Sequence, residues 1–321
     1  MKMPGLKSLG AIAVGVAVAT LSFAPDDAQA QKKVRWKMHS AFGKNVAVIG
    51  PPGYRIADNV NAMTDGKFDI KVFEPGALAG GYAYYDPVSK GAFESAWGTS
   101  GAHQGKNSAY AFFSSWPFGP GMGEFIAWMK FGGGVELAEE FFGRDGIKFM
   151  FCGIISPETS GWFREEIKSL DQLKGLKMRF FGMGAKVVQK FGVSTQQLAG
   201  GDIYPALELG TIDATELLVN QDKWDKLPKE YQAILTNACE ANFVTQIGDS
   251  ESSQFAAMIA NEKDGVKNMV WSDDQLAQLR AAWEEVLAEE IAANPDVKTL
   301  WDSFSKFHEG YKVWGERGYL K

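Results

Sequence analysis

The chain has 321 residues, of which 33 are basic and 39 acidic, for a formal charge of −6 at pH 7; 45% of it is apolar. A mildly acidic chain without a basic cluster excludes nucleic acid and anionic membrane surfaces as partners. Its length suits about two domains, and its apolar content can furnish a core for each.

Residues 1–30 read as a secretory signal peptide. Lys2 and Lys7 precede an apolar stretch, Ala11 to Ala24, and Ala28-Gln29-Ala30 is a small-x-small cleavage site. The stretch is well short of the ~20 residues that span a bilayer. A soluble, exported chain is expected to begin near Gln31. Val34 to Met38 alternates apolar and polar residues as a half-buried strand does. Helical spacing runs from Val46 to Met63, interrupted early by Pro51-Pro52-Gly53, and Phe68 to Phe73 is a second alternating strand. Asp86 then caps a short helix with Pro87 at its first position and Gly91 at its end, and Ala92 to Trp97 leads into a third strand. This alternation predicts a mostly parallel sheet with helices on both faces.

The pattern restarts at Ile147 to Cys152, a strand. Ser169 to Leu173 resembles a capped helical turn, and Leu176 to Phe181 is a short strand carrying Arg179. Helices follow over Ala185 to Phe191 and from Gly201, and Asp222 to Lys321 is largely helical. In the tail, Trp301, Phe304, Phe307, Tyr311 and Trp314 share one helix face, a packing stripe rather than a ligand surface.

Little of the chain is chemically equipped. Gly182-Met183-Gly184, with Asp202 twenty residues on, invites a dinucleotide reading, but Val187 stands where the third glycine belongs. No G-x-S-x-G occurs; Gly98-Thr99-Ser100-Gly101 has the wrong spacing. Glu139-Glu140 and Glu165-Glu166 point different ways on a helix and read as solvated charge. His39, His103 and His308 lie far apart, without metal-ligand spacing. An exported chain can pair Cys152 with Cys239, yet cysteines this sparse read first as two buried free thiols. No catalyst is on offer, which points to binding and not turnover. Arg179 stands out. It sits at the carboxyl end of a strand, where open α/β sheets place ligands, and a guanidinium grips a carboxylate with two parallel hydrogen bonds. A surface arginine tied to a nearby acid would look the same in sequence.

Several stretches resemble the DctP-type solute-binding proteins of TRAP (tripartite ATP-independent periplasmic) transporters. They are EPGALAGGYAYYDPVSKGAFESAWG, AFFSSWPFG, the block from Gly161 to Glu216, and LLVNQDKWDKLPKEYQAI. The branch most similar binds 2-oxo acids and related small carboxylates, sometimes with a cation. The resemblance implies an α/β, type II-like periplasmic binding protein fold of two lobes joined by crossing strands and a long helix. It implies no enzymatic activity, no cofactor beyond a bound Na or Ca ion, a small organic acid as ligand, TRAP membrane subunits as partners, and a homodimer through the C-terminal helix. Lobe I is expected over 31–152 plus 218–255, and lobe II over 153–217 plus 256–321 with the C-terminal helices.

By the same resemblance Arg179 clamps the ligand carboxylate, with Phe180 beside it. Trp162 and Phe163 begin the neighbouring strand, and Glu216 helps hold the cation. Glu158 replaces a glutamine that reaches ligand and metal; as a carboxylate it either binds a cation more strongly or repels an acid. Gly101-Ala102-His103-Gln104 replaces an aromatic run and leaves His103 as a ligand contact or an ordinary loop histidine. After Glu216 the family continues through an aromatic-rich strand–helix–strand of about 30 residues, one supersecondary unit; here Thr215-Glu216 joins Leu217 directly. Glu216 belongs to either side of that join, and a sheet edge left open there would invite association.

Overall fold

The computed structural model describes residues 32–157, 160–180, 182–196 and 213–318. Five strands form the main sheet in the order β2-β1-β3-β7-β4: β1 Val34–Ser40, β2 Phe68–Phe73, β3 Ser95–Gly98, β4 Ile147–Ile155 and β7 Asp213–Asn220. Strands β1, β2 and β3 run parallel, as their alternation with helices α1 (Pro51–Met63) and α2 (Tyr85–Ser89) predicts. The sheet is mostly parallel, as expected: β1, β2, β3 and β4 run one way, and β7 lies antiparallel to both β3 and β4. A strand arriving from a distant part of the chain has no crossover helix to set its direction.

Local chemistry fixes most boundaries. The prolines that interrupt the early helical pattern start α1, because a fixed φ and a missing N–H cost nothing in a first turn. Helix α2 begins earlier than expected, with Tyr84 as N-cap and Asp86 inside the first turn. Ser169 and Gln172 form a reciprocal capping box at the turn from Leu170 to Leu173. Helices α3 (Met122–Phe131) and α4 (Gly134–Gly143) cover one face of the sheet through Phe125, Trp128, Phe141 and Phe142, all buried.

A second sheet has two parallel strands, β5 (Lys177–Arg179) and β6 (Ser194–Gln196), with α5 (Gly182–Lys190) between them in sequence. Two strands are marginal by themselves, and α5 docks this pair on α8 (Asp273–Ala293), where Lys186 pairs with Glu290 and Lys190 with Glu289 at 2.6 Å. The strand expected at Trp162 and Phe163 is not formed. That backbone is irregular, held where Ser160 Oγ accepts a hydrogen bond from Trp271 Nε1 at 2.6 Å and Phe163 meets Trp271 edge-on.

After β7 come α6 (Gln221–Asp225), the 35-residue α7 (Lys229–Lys263), α8 and α9 (Pro295–Gly315). The aromatic stripe of α9 divides. Trp301 and Phe304 pack among Phe112, Trp116 and Trp283, whereas Trp314 is 55% exposed. Cys152 and Cys239 are joined in a disulfide, which corrects the reading of two free thiols. A β-bulge between Phe151 and Gly153 brings the Cys152 Cα to 4.6 Å from that of Cys239 on α7. Counting cysteines cannot see that juxtaposition.

Candidate functional site

Arg179 closes β5 opposite Gln196, half-buried, and Phe180 behind it is 2% exposed and anchors the strand end in the core. Gly182 then takes φ = +61°, a left-handed conformation that favours glycine, and opens α5. The buried face of α5, Met183, Val187 and Val188, holds that helix down. A guanidinium at a strand end beside a helix N-terminus makes a positive mouth.

The segment from Ser114 to Phe118 connects this mouth to the main sheet. A side chain at Gly182 would come within 4.0 Å of the Ser115 carbonyl, and the Ala214 N–H at the start of β7 donates to the Ser114 carbonyl at 3.3 Å. Ser114 Oγ shares a 2.7 Å hydrogen bond with Thr99 Oγ1 at the end of β3. Tyr84 Oη donates to the Thr99 carbonyl at 3.2 Å and accepts from its N–H at 3.1 Å. Gly98 has to be glycine, since a Cβ there would sit 2.0 Å from Tyr84 Oη. Glu216 lies fully buried in β7, in register with Gly98 on one side and Phe151 on the other. Thr99, Ser100, Ser114 and Glu216 therefore lie toward one end of the sheet, and the start of α5, three residues after Arg179, approaches that end at the Ser115 carbonyl. Buried hydroxyls and a carboxylate at such a point are oxygen donors of the kind that hard cations take.

The other predicted residues lie elsewhere. Glu158 is outside the described residues. Trp162 is 40% exposed on its irregular segment. His103 is 4% exposed in a 3-10 turn, with its ring 4.5 Å from that of Tyr84 and 4.9 Å from that of Tyr85. It lines a cavity of about 250 Å³ with Tyr82, Tyr85, Asp86 and Lys106.

Burial, helped by the charge of Lys106, pushes the His103 imidazole down to about 3, and burial lowers His39 below its ordinary value as well. Both rings flank Tyr84. In the unfolded chain they titrate near 6.5. Below that pH the unfolded state binds more protons, so their contribution is complete above 6.5 and is lost as pH falls toward 3. Denaturant melts at pH 7 and pH 5 should differ by about 2 kcal/mol for His103 alone. His103→Gln should flatten that slope; an unchanged slope would rule out the assignment.

Sequence reasoning missed a buried polar seam between β4, β7 and α7. Thr215 Oγ1 donates to Gln246 Oε1 at 3.0 Å, which also accepts from Asn242 Nδ2 at 3.2 Å. Asn242 Nδ2 reaches the Cys152 carbonyl at 3.0 Å, and Asn242 Oδ1 accepts from Arg55 Nη1 at 3.1 Å. A Cβ at Gly153 would lie 1.8 Å from Gln246 Oε1, so the bulge needs that glycine. The legible signal was Asn242, Gln246 and Ser250 at four-residue spacing on a helix, all fully buried. The seam crosses β7 at Thr215, beside the join.

The profile of the DctP family, described as bacterial extracellular solute-binding protein, family 7, matches residues 54–218 and 216–294. The chain belongs to this family. DctP proteins are receptors, not enzymes. A monocarboxylate 2-oxoacid-binding periplasmic protein of Nostoc sp. is 29% identical over 314 residues, covering 88% of this chain and 86% of that protein. A TRAP transporter solute-binding protein of Bordetella bronchiseptica RB50, crystallised as a dimer with calcium and picolinate in one site and the other site apo, superposes with a TM-score of 0.84. It is 28% identical, with 88% of this chain and 94% of that chain covered. A TRAP periplasmic solute-binding protein of Pseudoalteromonas atlantica T6c, holding sodium and pyruvate, gives 0.82 at 25% identity, with 88% and 96% covered. The fold is thus the α/β binding-protein fold of these DctP relatives. The family match breaks in two at 216–218, where Glu216 meets Leu217. The Nostoc match runs over 314 positions yet takes in 88% of 321 residues, so about 30 positions of that relative have no counterpart here.

Proposed function

We propose that this chain captures a small 2-oxo or 2-hydroxy carboxylate between two lobes and delivers it to the membrane subunits of a TRAP-type transporter. The observation that carries this reading is Arg179 at the end of β5, three residues before the glycine that approaches the Ser115 carbonyl, in a family whose relatives hold pyruvate or picolinate. In this reading Arg179 clamps the carboxylate and Phe180 backs it. Glu216, with Glu158, holds a sodium or calcium ion beside the ligand. Lobe I comprises 31–152 plus 218–255, and lobe II comprises 153–217 plus 256–321. Closure of the lobes buries the acid and creates the surface that the membrane subunits read. The place of action is the periplasm, with the leader cleaved near Ala30. Among the described residues no helix is long and apolar enough to cross a membrane. A diverged relative that binds only protein partners has no observation in its favour. A homodimer through α9 has little support within the chain, since Trp301 and Phe304 are already packed.

The direct test is calorimetry with a panel of 2-oxo and 2-hydroxy acids, with and without calcium or sodium. Heats for none of them would end the reading. If the second lobe lacks the strand–helix–strand of its relatives, its cleft should be wider and wetter than theirs. In that higher dielectric an ion pair at ~4 Å is worth nearer 1 than 4 kcal/mol. Binding should be weak and salt-sensitive. Inserting a relative's strand–helix–strand between Thr215 and Glu216 should tighten it and raise the melting temperature together. Tight, salt-insensitive binding by the chain as it stands would refute the effect of the shortened lobe but not the receptor function.

A further inference from the structure

The turn between β1 and α1 is strained. Val48 has φ = +66°, and across it the Ile49 N–H donates to the Ala47 carbonyl at 2.7 Å. A three-residue turn of this hand is rare, and Val48 is the only β-branched residue with positive φ among the described residues. Lys44 to Ala47, just before it, are exposed, so dense packing does not impose the shape. A strained backbone persists only where its surroundings hold it.

Two buried side chains hold this one. Trp97 Nε1 donates to the Ile49 carbonyl at 2.8 Å, and Gln246 Nε2 donates to the Val48 carbonyl at 3.5 Å. Both lead to the same place on β7. Trp97 is paired in register with Leu217, and Gln246 Oε1 accepts from Thr215 Oγ1 at 3.0 Å. Thr215 and Leu217 flank Glu216. Alternation along a strand sends their side chains to one face and that of Glu216 to the other. The turn is therefore tied to β7 on both sides of the residue that holds the cation in the proposed function.

We propose that Gln246 and Trp97 are positioning residues that couple the strained turn at Val48 to β7 at Glu216, so that ligand affinity and the conformation of the turn change together. The ligand in this proposal rests on the receptor reading; the coupling rests on hydrogen bonds within the chain. A turn free to relax leaves β7 less fixed, and ordering the strand then opposes binding.

The test is amide hydrogen exchange of the full chain, read by mass spectrometry with and without calcium and pyruvate. In the parent the ligands should slow exchange in 213–220 and in 44–50 together. In Gln246→Met and in Trp97→Phe the strand should still slow, while the turn no longer responds. Val48→Asn, which accepts a positive φ, should raise the melting temperature and yet lower pyruvate affinity about 2- to 30-fold. A merely structural turn would gain stability with no change in affinity, and that result would overturn the proposal. So would a turn whose exchange ignores the ligands in the parent. If the parent binds no acid, the receptor reading falls, and the coupling is judged without ligand. There Gln246→Met should speed exchange in both segments, and a change confined to one of them would refute it.

Discussion

Arg179→Ala should remove measurable carboxylate binding and leave the fold in place. The guanidinium ends a three-residue strand whose backbone stays paired with β6, and the core contact at that point is made by Phe180. On the proposed function the substitution would take away a charge-assisted, two-pronged grip worth ~1.5–3 kcal/mol, about a 10- to 150-fold loss of affinity. In an already weak site that loss carries binding below detection. Arg179→Lys keeps the charge but loses the planar fork, and should recover only part of the affinity. Calorimetry with a 2-oxo acid beside a thermal melt checks both halves. Affinity equal to the parent's would remove Arg179 from the site, and a collapsed melt would make it a structural residue.

Breaking the Cys152–Cys239 bond should cost the fold more stability than removing any single hydrogen bond of the neighbouring polar seam. The two cysteines are 87 residues apart, and closing a loop of that length restricts the unfolded chain by roughly 4 kcal/mol. For a chain of this size the melting temperature should fall by roughly 10 °C. The bond also pins the bulge of β4 to α7 where Asn242 and Gln246 hold the Cys152 carbonyl and Thr215. Cys152→Ser with Cys239→Ser should therefore loosen the seam beside Glu216 and weaken ligand binding as well. Melts with and without reductant give the measurement. Identical curves for oxidised and reduced protein would show that helix–sheet packing alone holds this seam.

Much of the fold was legible because its signals are local. Alternation marks β1 and β2, prolines mark the start of α1, and a capping box marks the turn at Ser169, each written within a few residues. Arg179 was legible for the same reason: strand, strand-end cation, glycine and helix fall within one short stretch. The join after Thr215 was legible against the family pattern. Local signals could not reveal that β7 runs antiparallel between β3 and β4, since the direction of a strand depends on where the chain re-enters the sheet.

The sequence by itself determined an α/β receptor without a catalyst, its strand-end arginine, and the place where the chain is shorter than its relatives. The alternation and the strand-end arginine follow from patterns whose period or spacing lies within the chain; the receptor reading and the shortened place follow from its resemblance to a known family. Only the tertiary structure decided the rest. It put Cys152 against Cys239, set Glu216 in register with Gly98, and buried His103 behind two tyrosines. It also left six apolar residues of α7 exposed. Each of these depends on residues distant in sequence meeting, or failing to meet, across a packed interior, where burial and not spacing sets charge state, pairing and exposure.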